Sequence, residues 1–370
     1  MIYFDNSAST PLSPGVKAAL REEMEYFANP SSLHRLGFEA EKRLDRARGE
    51  VAASLGVLPE EIVFTGGGTE ADNLAVFGAA EKMHRRGKKI LATNSEHPAV
   101  ESSLKKLEEK GFTVVRLSTR GGKLDLEEVS DAADENTVLA AVMHTNNETG
   151  AVYDVSALSR IVKKKNPEAL VFSDAVQGYL KSPLDPRSLG VDLLSLSAHK
   201  VNGPKGVGAL YIKKGLSLPP LILGGGQERG FRSGTENLPG IVAFGRAARE
   251  GREAFEENRK QMARVRETVL AGIRGESRVK ANLPENPSCH ILSLQVQGYP
   301  SEVLLHMLSE REVFVSSGSA CSSKKGKSPV LRAFGLSQKE SDCTIRLSFS
   351  PGNTEEEGEA FVKILSEILL

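Results

Sequence analysis

The sequence predicts an α/β protein, with a large domain on a mostly parallel sheet of about seven strands covered by helices, followed by a smaller α/β domain. Three observations lead there. From residue 60 onward, short apolar runs rich in β-formers alternate with segments of helical period; five of those runs end in unusual polar residues; and near Asn237 the alternation gives way to long helical stretches.

The elements follow in order. EIVFT leads into a helix starting near Thr69, and KILAT into one from Pro98 to Lys110. FTVVRL, VLAAVM, ALVFSD and VDLLSLS come at similar intervals, as repeated strand–helix units require. VGALYI follows so short a connection that it pairs antiparallel or sits at an edge. Beyond it, Met262, Val265, Val269 and Ile273 recur at spacings of three and four, which gives one apolar helix face. LPENPSCH is a loop, and HILSLQV, EVFVSS and CTIRLSFS are strands separated by helices at 301–311 and 354–370. The large domain is expected over 15–250, and the smaller one over 251–370 together with 1–14. Lys163–Lys165 reads as the solvated end of a helix.

Composition excludes several classes of function. Lysine plus arginine and aspartate plus glutamate both number 48, so no net field recruits nucleic acid or an anionic membrane. No apolar run approaches the roughly 20 residues needed to span a bilayer. Only three cysteines are spread over 370 residues, which argues against a disulfide framework and for a reducing compartment, with the cytoplasm as the expected location. The opening MIYFDNSAST reaches Asp5 without the basic and apolar regions of a signal peptide.

Ligands of open α/β sheets sit at the carboxyl ends of strands, so the polar strand ends are the candidate site. GGGTEADN after EIVFT brings glycines straight into a helix N-terminus, a ready place for a phosphate, although it is neither a P-loop nor a dinucleotide fingerprint. NSEHPAV holds His97, and HTNNETG holds two adjacent asparagines. SDAVQ places Asp174 at a strand end with Gln177 three residues on, while SAHKVNGPKGVG ends a strand in Ser197, His199 and Lys200. A lysine amine for a Schiff base, a carboxylate to keep a pyridine nitrogen protonated, and donors for a phosphate are what pyridoxal phosphate needs. Lys205, the only nearby rival to Lys200, follows a proline turn rather than a strand end. No metal is expected.

In order along the chain, GGGTEADNLA, SEHPAV, HTNNETG, SDAVQ, SAHKVNGPKGVGALY, RSGTEN, SSGSAC and TIRLSFS resemble the cysteine desulfurases, pyridoxal-phosphate enzymes of the class V aminotransferase fold. The likeness runs from IYFDNSAST to the last helix, and the serine-rich segment is similar to that of the first desulfurase group. The resemblance implies the fold type I architecture of such transferases. It assigns Lys200 to the Schiff base, Asp174 to the pyridine nitrogen and His97 to stacking on the ring. Asn147, in preference to Asn146, and Gln177 would bond near the phenolic oxygen. Gly68, Thr69, Ser197 and His199 would hold the phosphate, with Thr235 reaching in from the second subunit of a homodimer. Arg346 would grip the substrate carboxylate.

SSGSACSSKKGKS (316–328) places Cys321 in a stretch too polar to pack. The resemblance makes its thiolate the acceptor of sulfur from L-cysteine, with alanine as co-product and a persulfide to pass to an acceptor protein for iron–sulfur assembly or thiolation. Lys324, Lys325 and Lys327 are cations that favour the thiolate. The stretch has 13 residues, and at ~3.3–3.6 Å each its tip could swing on the order of 20 Å. Cys289 and Cys343 read as packing residues. Ser7 and Ser9 stand where the family usually has alanine and threonine. The rivals are a selenocysteine lyase, an aminotransferase of the same fold, and a silent sulfur-carrier subunit; the last does not account for Lys200, Asp174 and Arg346 occurring together.

Overall fold

The computed structural model describes residues 1–317 and 328–370. Cys321, Lys324, Lys325 and Lys327 therefore lie outside the described residues. After a two-residue strand β1 (Ile2–Tyr3), seven strands build the main sheet: β2 (Ile62–Thr65), β3 (Lys89–Thr93), β4 (Thr113–Leu117), β5 (Thr137–Ala141), β6 (Leu170–Asp174), β7 (Leu193–Ser197) and β8 (Gly208–Ile212). Their order is β2-β8-β7-β6-β5-β3-β4, and every pairing is parallel except the two made by β8. VGALYI is thus antiparallel as expected, but it is inserted between β2 and β7 rather than left at an edge.

Helices cover both faces because both faces are apolar. In β6, Val171 packs into one layer while Leu170 and Phe172 pack into the other, and all three are buried. The helix Gly68–Met83 buries Leu74, Ala75, Ala79 and Met83 against one face. On the other lies Arg35–Leu55, an N-terminal helix with Leu44, Val51 and Leu55 inward, closed by left-handed Gly56.

A second core forms around β9 (Val279–Ala281), β10 (Ile291–Val296), β11 (Val313–Phe314) and β12 (Thr344–Ser348). β9, β10 and β12 make an antiparallel sheet, and β11 pairs parallel with β1. EVFVSS shortens to Val313–Phe314, whereas the short β9 is an element the sequence pattern did not announce. Met262, Val265, Val269 and Ile273 turn inward from the helix Phe255–Gly272, and burying side chains of this kind stabilises by about 1.5–3 kcal/mol each. Phe4, just after β1, meets Phe349 and Phe361 edge-on at 5.0 and 6.0 Å, so the chain start is anchored in this core.

Cys289 packs against the second core, while Cys343 is only half-buried, bonded to the Glu340 carbonyl at a helix end. Lys163–Lys165 do close a helix, but Lys163 is not simply solvated: its Nζ lies 2.7 Å from the buried Asp192 carboxylate. Among the described residues no helix is long and apolar enough to cross a membrane.

Candidate active site

The carboxyl ends of the parallel strands open on a cavity of about 240 Å³. Gly68, Thr69, His97, Asn147, Asp174, Gln177, Ser197, His199, Lys200 and Arg346 all line it, with Ser7 and Ala8 closing one side. Thr235 does not reach it; that side chain is exposed and lines a separate hollow with Phe64 and Arg232. Lys205 is exposed and stands outside the cavity as well.

Each side chain owes its place to a strand end. Beyond β2, Gly67 takes a φ of +150°, a conformation that side-chain-bearing residues rarely adopt. A Cβ at Gly208 of β8 would stand 2.8 Å from the Gly67 Cα, so the two backbones meet where only glycines fit. The helix starting at Gly68 then directs its first N–H groups, which have no intrahelical acceptor, towards the cavity end of the sheet. Ser197 closes β7, and the following 3₁₀ turn, Ala198–Lys200, delivers His199 and Lys200. The Lys200 ammonium donates to the backbone carbonyls of Ser7 and, at 2.9 Å, Ala8.

His97 is the N-cap of the helix Pro98–Glu109, one residue shorter than expected, with proline at its first position. Its Nδ1 accepts the Ala99 N–H at 3.2 Å, so the ring proton belongs on Nε2 when the imidazole is neutral. Burial lowers the His97 pKa, while the Asp174 charge raises it and that of Lys200 lowers it further. Asp174 Oδ1 accepts the Val176 N–H at 2.9 Å. Burial raises its carboxyl pKa, and His97, the Val176 bond and Lys200 oppose that rise. Burial, with Lys200, Lys205 and Lys181 adding to it, pushes His199 down to about 4, so it is a neutral donor or acceptor at pH 7.

Arg346 comes from β12 on the second core and is 2% exposed. One of its terminal nitrogens donates to the Asn147 carbonyl and the other to Asp5, both at 2.8 Å, whereas its Nε has no partner. Asn147 Oδ1 and Gln177 Oε1 are likewise buried without partners, although the Gln177 amide nitrogen donates to Ser7 at 3.0 Å. Such orphaned groups cost about 1–3 kcal/mol each unless a ligand or water satisfies them. An amine, a buried carboxylate, a helix N-terminus and orphaned amides in one cleft suit a phosphorylated pyridine aldehyde, so the residues fit the cofactor that the resemblance implies.

The stretch carrying Cys321 leaves and rejoins the described structure beside this cavity. Ser316 exchanges backbone hydrogen bonds with Arg346, and Ser328 donates to Glu148, the neighbour of Asn147, at 2.6 Å.

Sequence reasoning missed Asp72 and Met143, which also line the cavity. Asp72 lies four residues beyond Gly68 on the same helix, one turn on and on the same face, and that spacing was the available signal.

Residues 2–361 match the family Aminotransferase class-V. The chain is 38% identical to a cysteine desulfurase of Trichormus azollae over 387 aligned positions, covering 100% of this chain and 93% of that protein. Among solved structures, a NifS-like protein superposes with a TM-score of 0.94 at 39% identity, covering 100% of this chain and 99% of the other. A structure described as SspA in complex with cysteine gives 0.84 at 34% identity, over 95% and 99%.

Proposed function

Because this chain belongs to the cysteine desulfurases of the class-V aminotransferase family, we propose that its cavity holds pyridoxal 5′-phosphate and desulfurates L-cysteine to L-alanine. The observation that carries this reading is the convergence of Lys200, Asp174 and the Gly68 helix start on one cleft, with Arg346 facing them from the second core.

In this reading Lys200 tethers the cofactor through its amine, Asp174 pairs with the ring nitrogen, and His97 stacks on the ring. The Gly68 helix start, Thr69, Ser197 and His199 hold the phosphate, while Asn147 and Gln177 bond near the phenolic oxygen. Bound there, the cofactor supplies an electron sink for the bond broken at the substrate's α-carbon. The Lys200 amine would take the α-proton of the bound substrate at Nζ. Arg346 orients the substrate carboxylate, and its unpartnered Nε leaves one edge of the guanidinium available while Asp5 and the Asn147 carbonyl fix the rest.

The Cys321 thiolate takes the sulfur: an S–S bond forms, the C–S bond breaks, and cysteine plus thiol become alanine plus persulfide. The flanks at Ser316 and Ser328 support this role, because Ser316 is bonded to the cavity-lining Arg346 and Ser328 to Glu148, the neighbour of Asn147. A protein acceptor then receives the sulfur, and the reducing cytoplasm suits such a thiol carrier. The active unit is a homodimer, with Thr235, exposed and outside this chain's own cavity, serving the partner's cavity.

The test is an assay with L-cysteine and a thiol reductant. Alanine and sulfide should appear in equal amounts, and Cys321→Ser should keep the yellow cofactor yet release no sulfide. Undiminished sulfide release from that variant would remove the thiol from the mechanism.

A further inference from the structure

Asp72 has no place in the chemistry above, yet it is 1% exposed and lines the same cavity. It lies one turn into the helix Gly68–Met83, on the cavity side near the ends of β6 and β7. Those two strands are in parallel register with Asp174 opposite Ser195. The Ser195 hydroxyl donates to Asp72 Oδ1 at 2.5 Å, while its residue is the strand neighbour of Asp174. One carboxylate oxygen of Asp72, one of Asp174 and a ring nitrogen of His97 all lie within 4.8 Å of one another.

Two buried carboxyl groups this close, with Ser195 beside both, cannot both ionise at neutral pH without a cation between them. Among the described residues neither forms a salt bridge. The charged groups facing the pair are few. His97 approaches from beyond β3, with its Nδ1 already accepting the Ala99 N–H. Lys200 lies beyond β7 and donates to the Ser7 and Ala8 carbonyls. The nearby Glu96 is itself a buried carboxyl, bonded to Thr93 and Met143, and brings no positive charge to the pair. The favoured arrangement is one proton shared by two carboxyls.

We propose that Asp72 is a positioning residue that keeps a proton on the Asp72–Ser195–Asp174 group, ready for the ring nitrogen of the bound cofactor. On binding, an O–H bond of the pair breaks and an N–H bond forms. The ring nitrogen's lone pair takes the proton, and Asp174 remains as the carboxylate paired with it. No solvent proton is needed at that nitrogen. This inference rests on the reading that the cavity binds pyridoxal 5′-phosphate.

The experiment titrates the cofactor-stripped full-length protein with pyridoxal 5′-phosphate by calorimetry at mildly alkaline pH, in buffers of different ionisation enthalpy. The dependence of heat on buffer gives the protons taken up per site. Asp72→Asn removes the shared proton without changing shape, so it should take up about one more proton per site than the unsubstituted chain. Asp72→Ser, which also removes the second carboxyl, should show an increase of the same sign, and it decides the matter if the first variant does not fold. With a cofactor analogue carrying carbon in place of the ring nitrogen, the difference should vanish. Equal uptake by variant and unsubstituted chain, or a difference that persists with the analogue, would overturn the proposal while leaving the cofactor reading intact. Failure of the unsubstituted chain to bind pyridoxal 5′-phosphate would overturn both.

Discussion

The two walls of the cavity are built in different ways. On one side, Asp174, Ser197 and Lys200 stand at the ends of adjacent strands, held by the hydrogen-bond ladders of a sheet buried on both faces. On the other, Arg346 comes from β12, and Asp5, Ser7 and Ala8 come from the segment that follows β1. That second wall stays in place because Phe4 is packed against Phe349 and Phe361, and because Ser348 bonds back to the carbonyl of Phe4. The sheet wall offers an amine, a carboxylate and a helix start, which in the proposed reading hold the cofactor. The wall from the second core offers a guanidinium and is bonded to Ser316, one flank of the Cys321 stretch, which in the proposed reading serve the substrate and its sulfur. Cofactor binding and substrate turnover are therefore expected to respond to different substitutions.

The sharpest way to break this division is Lys200→Ala on the sheet wall. It should lose the covalently held cofactor and lower desulfuration by at least about 10²–10⁴-fold, the usual weight of a positioned acid–base group. Sulfide release and the absorbance of the dialysed protein measure the two losses. On the opposite wall, Arg346→Lys keeps the charge but not the planar fork, and charge-assisted bonds of this kind are worth about 1.5–3 kcal/mol. We expect kcat/KM for L-cysteine to fall by about 10–100-fold with the cofactor spectrum unchanged. A matching loss of cofactor in this variant would show that the walls are not separable.

A smaller effect sharpens the picture of the sheet wall. Burial pushes Glu96 up to about 8 from its ordinary 4.5, with the bonds from Thr93 and the Met143 N–H opposing the rise. A carboxyl raised on folding stabilises the fold while it is protonated, so stability should fall as pH rises from about 4.5 to about 8. This one group contributes a slope of ~1.4 kcal/mol per pH unit in that window. Glu96→Gln should flatten that part of the pH profile in chemical denaturation of the cofactor-free protein; an unchanged slope would assign it to another group.

Much of the sheet wall was legible in the chain, because a polar residue at the end of an apolar run is a local signal. Asp174, Ser197 and Lys200 were found that way. The inward face of Met262, Val265, Val269 and Ile273 was legible for a similar reason, since helical period is local. The position of β8 was not. Alternation shows a strand but not its neighbours, and insertion between β2 and β7 depends on pairings up to 150 residues distant, as between Ile62 and Tyr211. Asp72 was hidden by its company: among Ala71, Leu74 and Ala75 it reads as an ordinary helix carboxylate, and only the fold brings Ser195 and Asp174 to it. Arg346 drew its meaning from resemblance alone, because nothing near TIRLS in the sequence announces that it faces Lys200 across a cleft.

The most direct measurement is borohydride reduction of the yellow protein followed by peptide mapping. The account predicts that the cofactor is fixed on the peptide carrying Lys200 and on no other. A label on Lys181 or Lys205, or no label on a protein that still desulfurates cysteine, would contradict it.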